Sequence, residues 1–155
     1  MMRLQSAIEY ITTYGWAILV LAIVLSALYM LGVFNNNSFA PNVCSFPANI
    51  GCISANLFQS GNLIVNIEQS TQNPINITAI GCNTNGTPSD MNIIKPQIYL
   101  QIGANHTFNV QCYGSNTIFS GSPSTLYTGY LILNYTDVQS GFQHVVVGKL
   151  VQKVV

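Results

Sequence analysis

Few side chains in this sequence are suited to acid–base or nucleophilic chemistry. The two histidines, His106 and His144, have no nearby cysteine or carboxylate in a recognised nucleophile pattern. The acidic residues are scattered, so paired carboxylate chemistry is not indicated, and no glycine-rich phosphate-binding loop occurs. We therefore expect two surface histidines, no cofactor and no enzymatic activity, although a catalytic group assembled only in space leaves no trace in a sequence.

Four cysteines offer a different chemistry, which is cross-linking. An even number of cysteines without a Cys-x-x-Cys pair favours disulfides over a zinc site. Three pairings are possible, and we prefer a short loop closed by Cys44–Cys52 and a staple between two strands formed by Cys82–Cys112. Disulfides of this kind are expected in a domain that faces the outside of the cell.

Charge is nearly absent from the chain. Only 5% of the residues are charged, against about 25% in an average soluble protein, and the charges cancel. Without a basic patch, nucleic acid is not an expected partner. With 49% hydrophobic residues the chain is too apolar to be disordered, and its neutral polar surface suits close packing of like copies. The eight charged residues are Arg3, Glu9, Glu68, Asp90, Lys95, Asp137, Lys149 and Lys153.

Attached sugar would also keep such a surface soluble. Asparagine is so frequent here that chance alone could place several acceptor sequences, so occupancy stays open. Asn85 and Asn105 lie in predicted turns and are the preferred sites. The Asn-x-Ser/Thr sequences begin at Asn36, Asn76, Asn85, Asn105 and Asn134.

The N-terminal part of the chain must be an unusual element. Residues 16–34 carry no charge, and counted from Ile8 the apolar stretch has about 27 residues, or about 40 Å as a helix, which exceeds the length needed to cross a bilayer. A cleaved secretory signal would be shorter and followed by a small-x-small site, whereas an ordinary membrane anchor fits as well. We assign residues 1–34 to a leader and a transmembrane or filament-core helix.

Residues 35–155 have the pattern of antiparallel strands joined by turns. Leu63, Val65 and Ile67 alternate with polar residues, which predicts one buried and one solvent-facing side. We therefore predict an all-β, antiparallel, sandwich-like extracellular domain over 35–155. The candidate strands are Asn62–Glu68, Ile75–Cys82, Ile98–Ile102, Thr107–Cys112, Leu126–Tyr135 and His144–Val154.

Glu9 is out of place at the start of an apolar helix, because a carboxylate there is costly to bury without a partner. Arg3 lies six residues earlier, away from the helical i,i+4 position. Glu9 is therefore either solvated at the membrane surface or paired with a neighbouring chain.

The sequence Gln5-Ser6-Ala7-Ile8-Glu9-Tyr10, with Thr13-Tyr14-Gly15-Trp16-Ala17 and the apolar run behind it, resembles the N-terminus of archaeal type IV pilins with a class III signal peptide. The resemblance covers residues 1–34. It implies cleavage between Leu4 and Gln5, which would make Glu9 the fifth residue and pair it with the new amino terminus of a neighbouring subunit. It also implies roles in subunit assembly for Glu9, Gly15 and Trp16.

The same resemblance implies a structural role in an adhesive pilus-like homopolymer, with helices in the core and β domains outside. The precursor would sit in the cell membrane before reaching the surface filament, with a prepilin peptidase, an assembly ATPase and a platform protein as partners. An archaellum-type filament has a related N-terminus and stays open, as does a non-polymerising, membrane-anchored surface binding module. An anchored extracellular hydrolase has less support, because ionisable groups are so few.

Overall fold

The computed structural model describes residues 2–34, 40–47, 49–89 and 91–155. The chain divides into two compact units, Met1–Ala40 and Pro41–Val155. The first contains an apolar helix and the second a β domain rich in antiparallel pairs, which confirms the predicted fold class. The domain boundary placed after Phe34 borders residues 35–39, which lie outside the described part, and it stays a prediction.

Helix α1 spans Met2–Met30. Its sequence has no proline, and leucine and alanine, which favour helices, are frequent in it. The helix ends at a left-handed turn, where Gly32 has a φ of 70°. There the Leu31 N–H donates to the Ala27 carbonyl at 2.9 Å and the Val33 N–H to the Leu28 carbonyl at 3.2 Å. Glycine adopts this conformation without the steric cost that other residues meet.

Eight strands follow in the described part of the chain, and short turns connect most of them. The β3–β4 turn contains Asn73-Pro74, and the β7–β8 turn contains Ser140-Gly141, with Gly141 at a φ of 72°. The strands are β1 (Val43–Ser45), β2 (Ile50–Leu57), β3 (Asn62–Gln69), β4 (Ile75–Asn83), β5 (Asn92–Leu100), β6 (Asn105–Tyr113), β7 (Leu126–Asp137) and β8 (Gln143–Lys153).

The strands form two layers that are joined at both edges, by strand pairing between β4 and β6 at one and by a parallel bridge between Leu57 and Val154 at the other. Sheet A contains β1, β8, β7, β4 and β5 in that order, and sheet B contains β2, β3 and β6; neighbours within each sheet are antiparallel. The end of β4 pairs in parallel with the end of β6 at Cys82↔Cys112 and Asn83↔Tyr113. The strand path therefore runs from one sheet into the other as β1-β8-β7-β4-β6-β3-β2.

The core of the domain lies between the two sheets. Along β3, Leu63, Val65 and Ile67 are fully buried while the intervening residues are not, which confirms the predicted alternation. Strands of both sheets contribute aliphatic side chains to the core, as expected for packed pleated layers, but β4 and β7 each contain runs of consecutive buried residues. The largest fully buried aliphatic residues are Leu57, Leu63, Ile67, Ile75, Ile77, Ile80, Leu131, Ile132, Leu133 and Leu150.

Each disulfide joins a strand of sheet A to a strand of sheet B. Cys44 on β1 pairs with Cys52 on β2, with Cα atoms 5.8 Å apart. Cys82 on β4 pairs with Cys112 on β6, with Cα atoms 4.5 Å apart. These are the preferred pairings, and together the two bridges tie the layers at β1–β2 and at β4–β6.

The predicted strands match β3, β4, β6, β7 and β8 closely, but three strands differ from the prediction. β1 and β2 were not predicted, and β5 begins at Asn92 and ends at Leu100 instead of spanning Ile98–Ile102. Gly51 and a bulge between Cys52 and Ser54 interrupt the alternation of β2. Pro96 lies inside β5, where a missing N–H argues against a strand.

Candidate functional site on the apolar helix

From Thr12 to Met30 the surface of α1 is largely apolar on all sides, and none of it is buried among the described residues. Trp16 is 69% exposed and Met30 is 88% exposed. The segment Thr12–Met30 has 19 residues, none of them buried, and it is long and apolar enough to cross a membrane. At about 1.5 Å per residue it spans about 28 Å, close to the thickness of a bilayer core. The helix surface can be covered only by lipid or by other helices.

The threonines that precede the apolar run satisfy their hydroxyl groups inside the helix. The Thr13 hydroxyl donates to the Glu9 carbonyl at 2.7 Å. The Thr12 hydroxyl lies 2.9 Å from the Ile8 carbonyl and 3.0 Å from the Glu9 carbonyl. Bonds of this kind remove the cost of placing a hydroxyl group in an apolar environment, so these threonines extend the surface that lipid or helices can cover.

Glu9 differs from these threonines because its carboxylate is not satisfied locally. It lies one turn before Thr12 and is exposed. The Glu9 carboxylate forms no hydrogen bond or ion pair with the side chains that the structure describes, which do not include Arg3. The first helical turns therefore present one negative charge at the end of an apolar surface, where a cation from outside the chain could pair with it.

No contact among the described residues explains why position 15 is a glycine. A Cβ added there would have nothing within 4 Å among the described residues. Glycine inside a helix costs about 0.5–1 kcal/mol relative to alanine, so the missing side chain is useful only if another surface approaches closely. Further along, Ala22 and Ser26 form the floor of a shallow groove of about 410 Å³ between Leu19, Ile23 and Met30.

The predicted cleavage position and Trp16 also lie on α1. The Leu4–Gln5 bond falls in the first turns of the helix, and cleavage there stays a prediction. Trp16 follows the ring pair formed by Tyr10 and Tyr14, whose centroids are 4.6 Å apart. Aromatic residues at one end of an apolar helix are typical of membrane–water interfaces.

The histidines lie on the β domain, where both are exposed as predicted. His106 contacts the edge of Phe108, with ring centroids 4.8 Å apart, and His144 stacks on Tyr135 at 5.3 Å. Within the described ranges, no group of three or more His, Cys, Asp or Glu side chains is placed to hold a metal ion. The structure therefore does not bring the predicted candidates for chemistry together.

The five possible glycosylation sites differ in accessibility. Asn85 and Asn105 are exposed at the ends of turns, whereas Asn76 and Asn134 are half-buried in adjacent strands of sheet A. The Oδ1 atom of Asn134 is buried without a hydrogen-bond partner. Asn36 lies outside the described residues. Sugar occupancy stays a prediction at all five, and exposure favours the two turn positions.

A cleft beside the Cys44–Cys52 bridge was not predicted. It has a volume of about 360 Å³ and is lined mainly by neutral polar residues, including Asn42, Ser54 and Asn56. The buried Gln152 donates its side-chain N–H to the Ala55 carbonyl at 2.5 Å. Sequence reasoning missed the cleft because β1 and β2, which form its walls, were not predicted.

Three titratable groups of the β domain have shifted pKa values: Tyr127, Tyr135 and Asp137. Burial, together with the charge of Asp137, raises the pKa of Tyr135. Burial raises the pKa of Tyr127 to about 12; its hydroxyl donates to the Tyr113 carbonyl at 3.0 Å and lies 3.6 Å from the Cys82 sulfur. A hydrogen bond from Asn73 and bonds from the Ser140 and Gln139 N–H groups lower the pKa of Asp137. The hydrogen bonds of Tyr127 and Asp137 connect separate segments of the fold, and neither group faces a catalytic partner among the described residues.

Comparison with known proteins adds no relative: no family model matches the chain, and no curated protein is significantly similar to it.

Proposed function

We propose that this chain is a structural subunit of an extracellular type IV pilus-like filament that supports adhesion and attachment. The proposal rests mainly on the properties of helix α1. It is an uncovered apolar helix with an unexplained glycine at position 15 and a carboxylate, Glu9, one turn before the span. In a filament, the helices would pack in the core and the β domains would form the surface.

Assembly would move apolar helix surface from lipid into helix–helix contacts. Lipid tails are as apolar as leucine, so the driving force is close packing, which small residues at positions 15, 22 and 26 favour. Cleavage between Leu4 and Gln5 would create an ammonium group for the Glu9 carboxylate of a neighbour. The resemblance at the N-terminus adds a prepilin peptidase, an assembly ATPase and a platform protein as proposed partners, and an archaellum-type filament is a close variant.

The β domain supports this proposal through its independence. Its core and both disulfides are complete within Pro41–Val155, so the fold of the domain does not require the helix. A subunit whose helix is transferred from a membrane into a filament needs an outer domain that remains folded throughout.

Glu9 provides the direct test of the assembly role. We expect Glu9→Ala to abolish filaments or reduce them by at least tenfold, because a desolvated ammonium would lose its partner. Glu9→Gln is the matched variant, which keeps the shape and removes the charge, and Thr13→Ser is the control. Filaments are counted by electron microscopy, and circular dichroism of the β domain checks folding. Unchanged filament numbers in Glu9→Ala would show that the paired-charge role is wrong.

Gly15 tests the packing role separately from charge. A Cβ added at position 15 has nothing within 4 Å among the described residues and leucine favours the helix, so Gly15→Leu should leave the monomer in the membrane. It should nevertheless prevent close helix approach and reduce filament yield, whereas Gly15→Ala should have a smaller effect. Equal filament yield for all three chains would contradict helix packing at this position.

The cleft beside Cys44–Cys52 supports a second candidate, a membrane-anchored module that binds a ligand without polymerising. Its volume of about 360 Å³ and neutral polar lining suit a small uncharged polar molecule such as a saccharide. Ser54→Trp would fill the cleft. If this variant abolishes surface attachment while filaments are absent in the unmodified chain as well, the second candidate replaces the first.

A further inference from the structure

The outer face of sheet A is partly apolar and carries positive charge. On β8, Val145, Val147 and Lys149 point away from the core and alternate with the buried Gly148 and Leu150. Val145 is 51% exposed. Lys149 is exposed and forms no ion pair with the side chains that the structure describes. The outer face of sheet A therefore presents a valine pair with a lysine at one end.

The outer face of sheet B is composed mainly of amides and carries a single negative charge. Ile64 and Glu68 point outward from β3, and Glu68 is the only acidic residue in β2, β3 and β6. Ile64 is flanked by Asn56 on β2 and Asn109 on β6. The two outer faces thus have opposite charge, and each has an aliphatic side chain on the same strand as the charged residue.

The spacing of these groups is the same on the two faces. Val145 and Lys149 are four residues apart on β8, and Ile64 and Glu68 are four residues apart on β3. Along a strand this is about 13 Å in both cases, at about 3.3 Å per residue. A strand of one face laid over a strand of the other can therefore bring the aliphatic residues and the charged residues together at the same time.

We propose that the outer face of sheet A of one copy docks on the outer face of sheet B of a second copy of this chain. In this contact Lys149 pairs with Glu68 and Val145 contacts Ile64. Docking of identical faces would bring two Lys149 residues, or two Glu68 residues, into one interface without an opposite charge, so the charges favour the head-to-tail arrangement. A head-to-tail contact repeats from copy to copy and produces rings or open helical arrays.

The area of contact shows where this docking operates. Three strands about 4.8 Å apart and about seven residues long cover roughly 300 Å² per copy, which is below the size of a stable interface between free proteins. The contact therefore forms where α1 already holds copies close together, as linked contacts do at high effective concentration. In this one respect the inference rests on the anchoring or assembly of α1 described above.

The docking also constrains glycosylation. Asn105 on β6 lies directly opposite Glu68 in the strand register, so a sugar on Asn105 would cover the outer face of sheet B. Asn85 precedes Gly86, which lies beside the ring of Tyr130. Tyr130 is opposite Lys149 in the register of β7 and β8, so Asn85 borders the outer face of sheet A. Sugar on Asn105 in chains taken from assembled material would contradict the docking.

The experiment uses the full chain at high density in lipid vesicles of neutral phosphatidylcholine, which brings copies together whether or not filaments form. A water-soluble carbodiimide joins a lysine amine to a carboxylate, with loss of water, only when the two touch. Mixing isotope-labelled and unlabelled copies identifies cross-links between chains by mass spectrometry. We expect Lys149–Glu68 to exceed Lys95–Glu68 by about fivefold, the factor that about 1 kcal/mol of pairing gives; Lys95 is the exposed control lysine on β5.

Charge-reversed copies give the decisive control. Lys149→Glu copies alone and Glu68→Lys copies alone can form no cross-link between positions 149 and 68, because each set has two carboxylates or two amines there and no amine–carboxylate pair; they set the background for the mixture. The mixture of the two sets should form it again, between the carboxylate introduced at position 149 in the first set and the amine introduced at position 68 in the second. Equal cross-linking of Lys149 and Lys95 to Glu68, or no cross-link in the mixture, would overturn the docking.

Electron microscopy of native cell-surface material separates this inference from the proposed function, because the vesicles contain neither the peptidase nor the assembly proteins that filament formation would require. Cross-links without filaments would support the docking and count against the filament role. Filaments without the Lys149–Glu68 cross-link would leave the filament role standing and overturn the docking. Absence of both would overturn both, since the vesicles already hold the copies at close distance.

Discussion

Apolar side chains of α1 and of the β domain are in opposite environments. Trp16 and Met30 on α1 are 69% and 88% exposed, whereas Leu57 and Leu63 in the β domain are fully buried. The helix has no second layer against which to pack, while each sheet of the domain is covered by the other. One region therefore completes its structure alone and the other requires lipid or further helices.

Separation of the two regions should give the largest effect. Removal of residues 1–40 should move the remaining chain from the membrane fraction to the soluble fraction, because α1 contains the one segment, among the described residues, that is long and apolar enough to cross a membrane. The midpoint of thermal unfolding of residues 41–155 should stay within about 4 °C of the value for the full chain, a shift of about 1 kcal/mol or less. Ultracentrifugation and circular dichroism measure the two quantities. A truncated chain that is unfolded would show that the β domain depends on the helix.

Removal of each disulfide measures how much that bridge contributes to the stability of the β domain. The double variant Cys82→Ser with Cys112→Ser should lower the free energy of unfolding by about 3.6 kcal/mol, and Cys44→Ser with Cys52→Ser by about 2.5 kcal/mol, from the loops of 30 and 8 residues that they close. Buried hydroxyls at 82 and 112 would enlarge the first loss. Urea unfolding measures both.

The environments of the bridges differ as well, because Cys44 and Cys52 line an open cleft while Cys82 and Cys112 are fully buried. A mild thiol reductant should therefore reduce Cys44–Cys52 first, as followed by alkylation and mass spectrometry. Simultaneous reduction of the two bridges would contradict the difference in accessibility.

Tyr127 makes a smaller contribution beside the buried bridge. Replacement by Phe removes its hydrogen bond to the Tyr113 carbonyl and should cost about 1 kcal/mol. The pKa of Tyr127 is raised from 10.0 to about 12, so the folded state retains the phenol proton that the unfolded state loses. Stability should therefore be complete below pH 10 and fall as the pH rises towards 12. Urea unfolding at several alkaline pH values should show a weaker decline in Tyr127→Phe, and an equal decline would contradict the assignment.

Asp137 gives the smallest expected effect, at the exposed turn between β7 and β8. Hydrogen bonds, chiefly from Asn73, lower its pKa below the usual 3.8, so its stabilising contribution is present above that pH and is lost as the pH falls through the lower folded value. Asp137→Asn should reduce the acid-dependent part of the unfolding curve and loosen the turn. Amide hydrogen exchange at Gln139 and Ser140 checks this, and unchanged exchange rates would contradict the role of Asp137.

Secondary structure was predicted correctly from the sequence in the regions where one physical signal dominates. An uncharged run identified α1, and strict alternation identified β3, since Leu63, Val65 and Ile67 fall on the buried side. β2 was missed because its bulge at Cys52–Ser54 breaks the period of two, and β5 was shortened because Pro96 lies within it. Local sequence patterns indicate the side on which a residue faces. They do not reveal a strand whose own sequence is unfavourable and which is held in place by neighbouring strands.

Fewer features of the candidate site could be predicted, because most of them depend on contacts between residues that are distant in the sequence. Glu9 was identified because a charge stands out in an apolar helix, whereas Gly15 and Trp16 were identified only through the resemblance of the N-terminus to type IV pilins. The cleft at Cys44–Cys52 and the matched faces of sheets A and B depend on which strands become neighbours, and that depends on contacts between distant residues. Ile64 and Glu68 become informative only when the register places them on the same outer face as Asn109 and Asn105.

The central claim is that α1 assembles into the core of a filament after cleavage of its leader. The most direct measurement is electron microscopy of native cell-surface material combined with N-terminal sequencing of the purified chain. The proposal predicts filaments composed of a chain that begins at Gln5, with Glu9 as its fifth residue. Non-filamentous membrane material whose chain begins at Met1 would contradict it and favour a monomeric, membrane-anchored β domain.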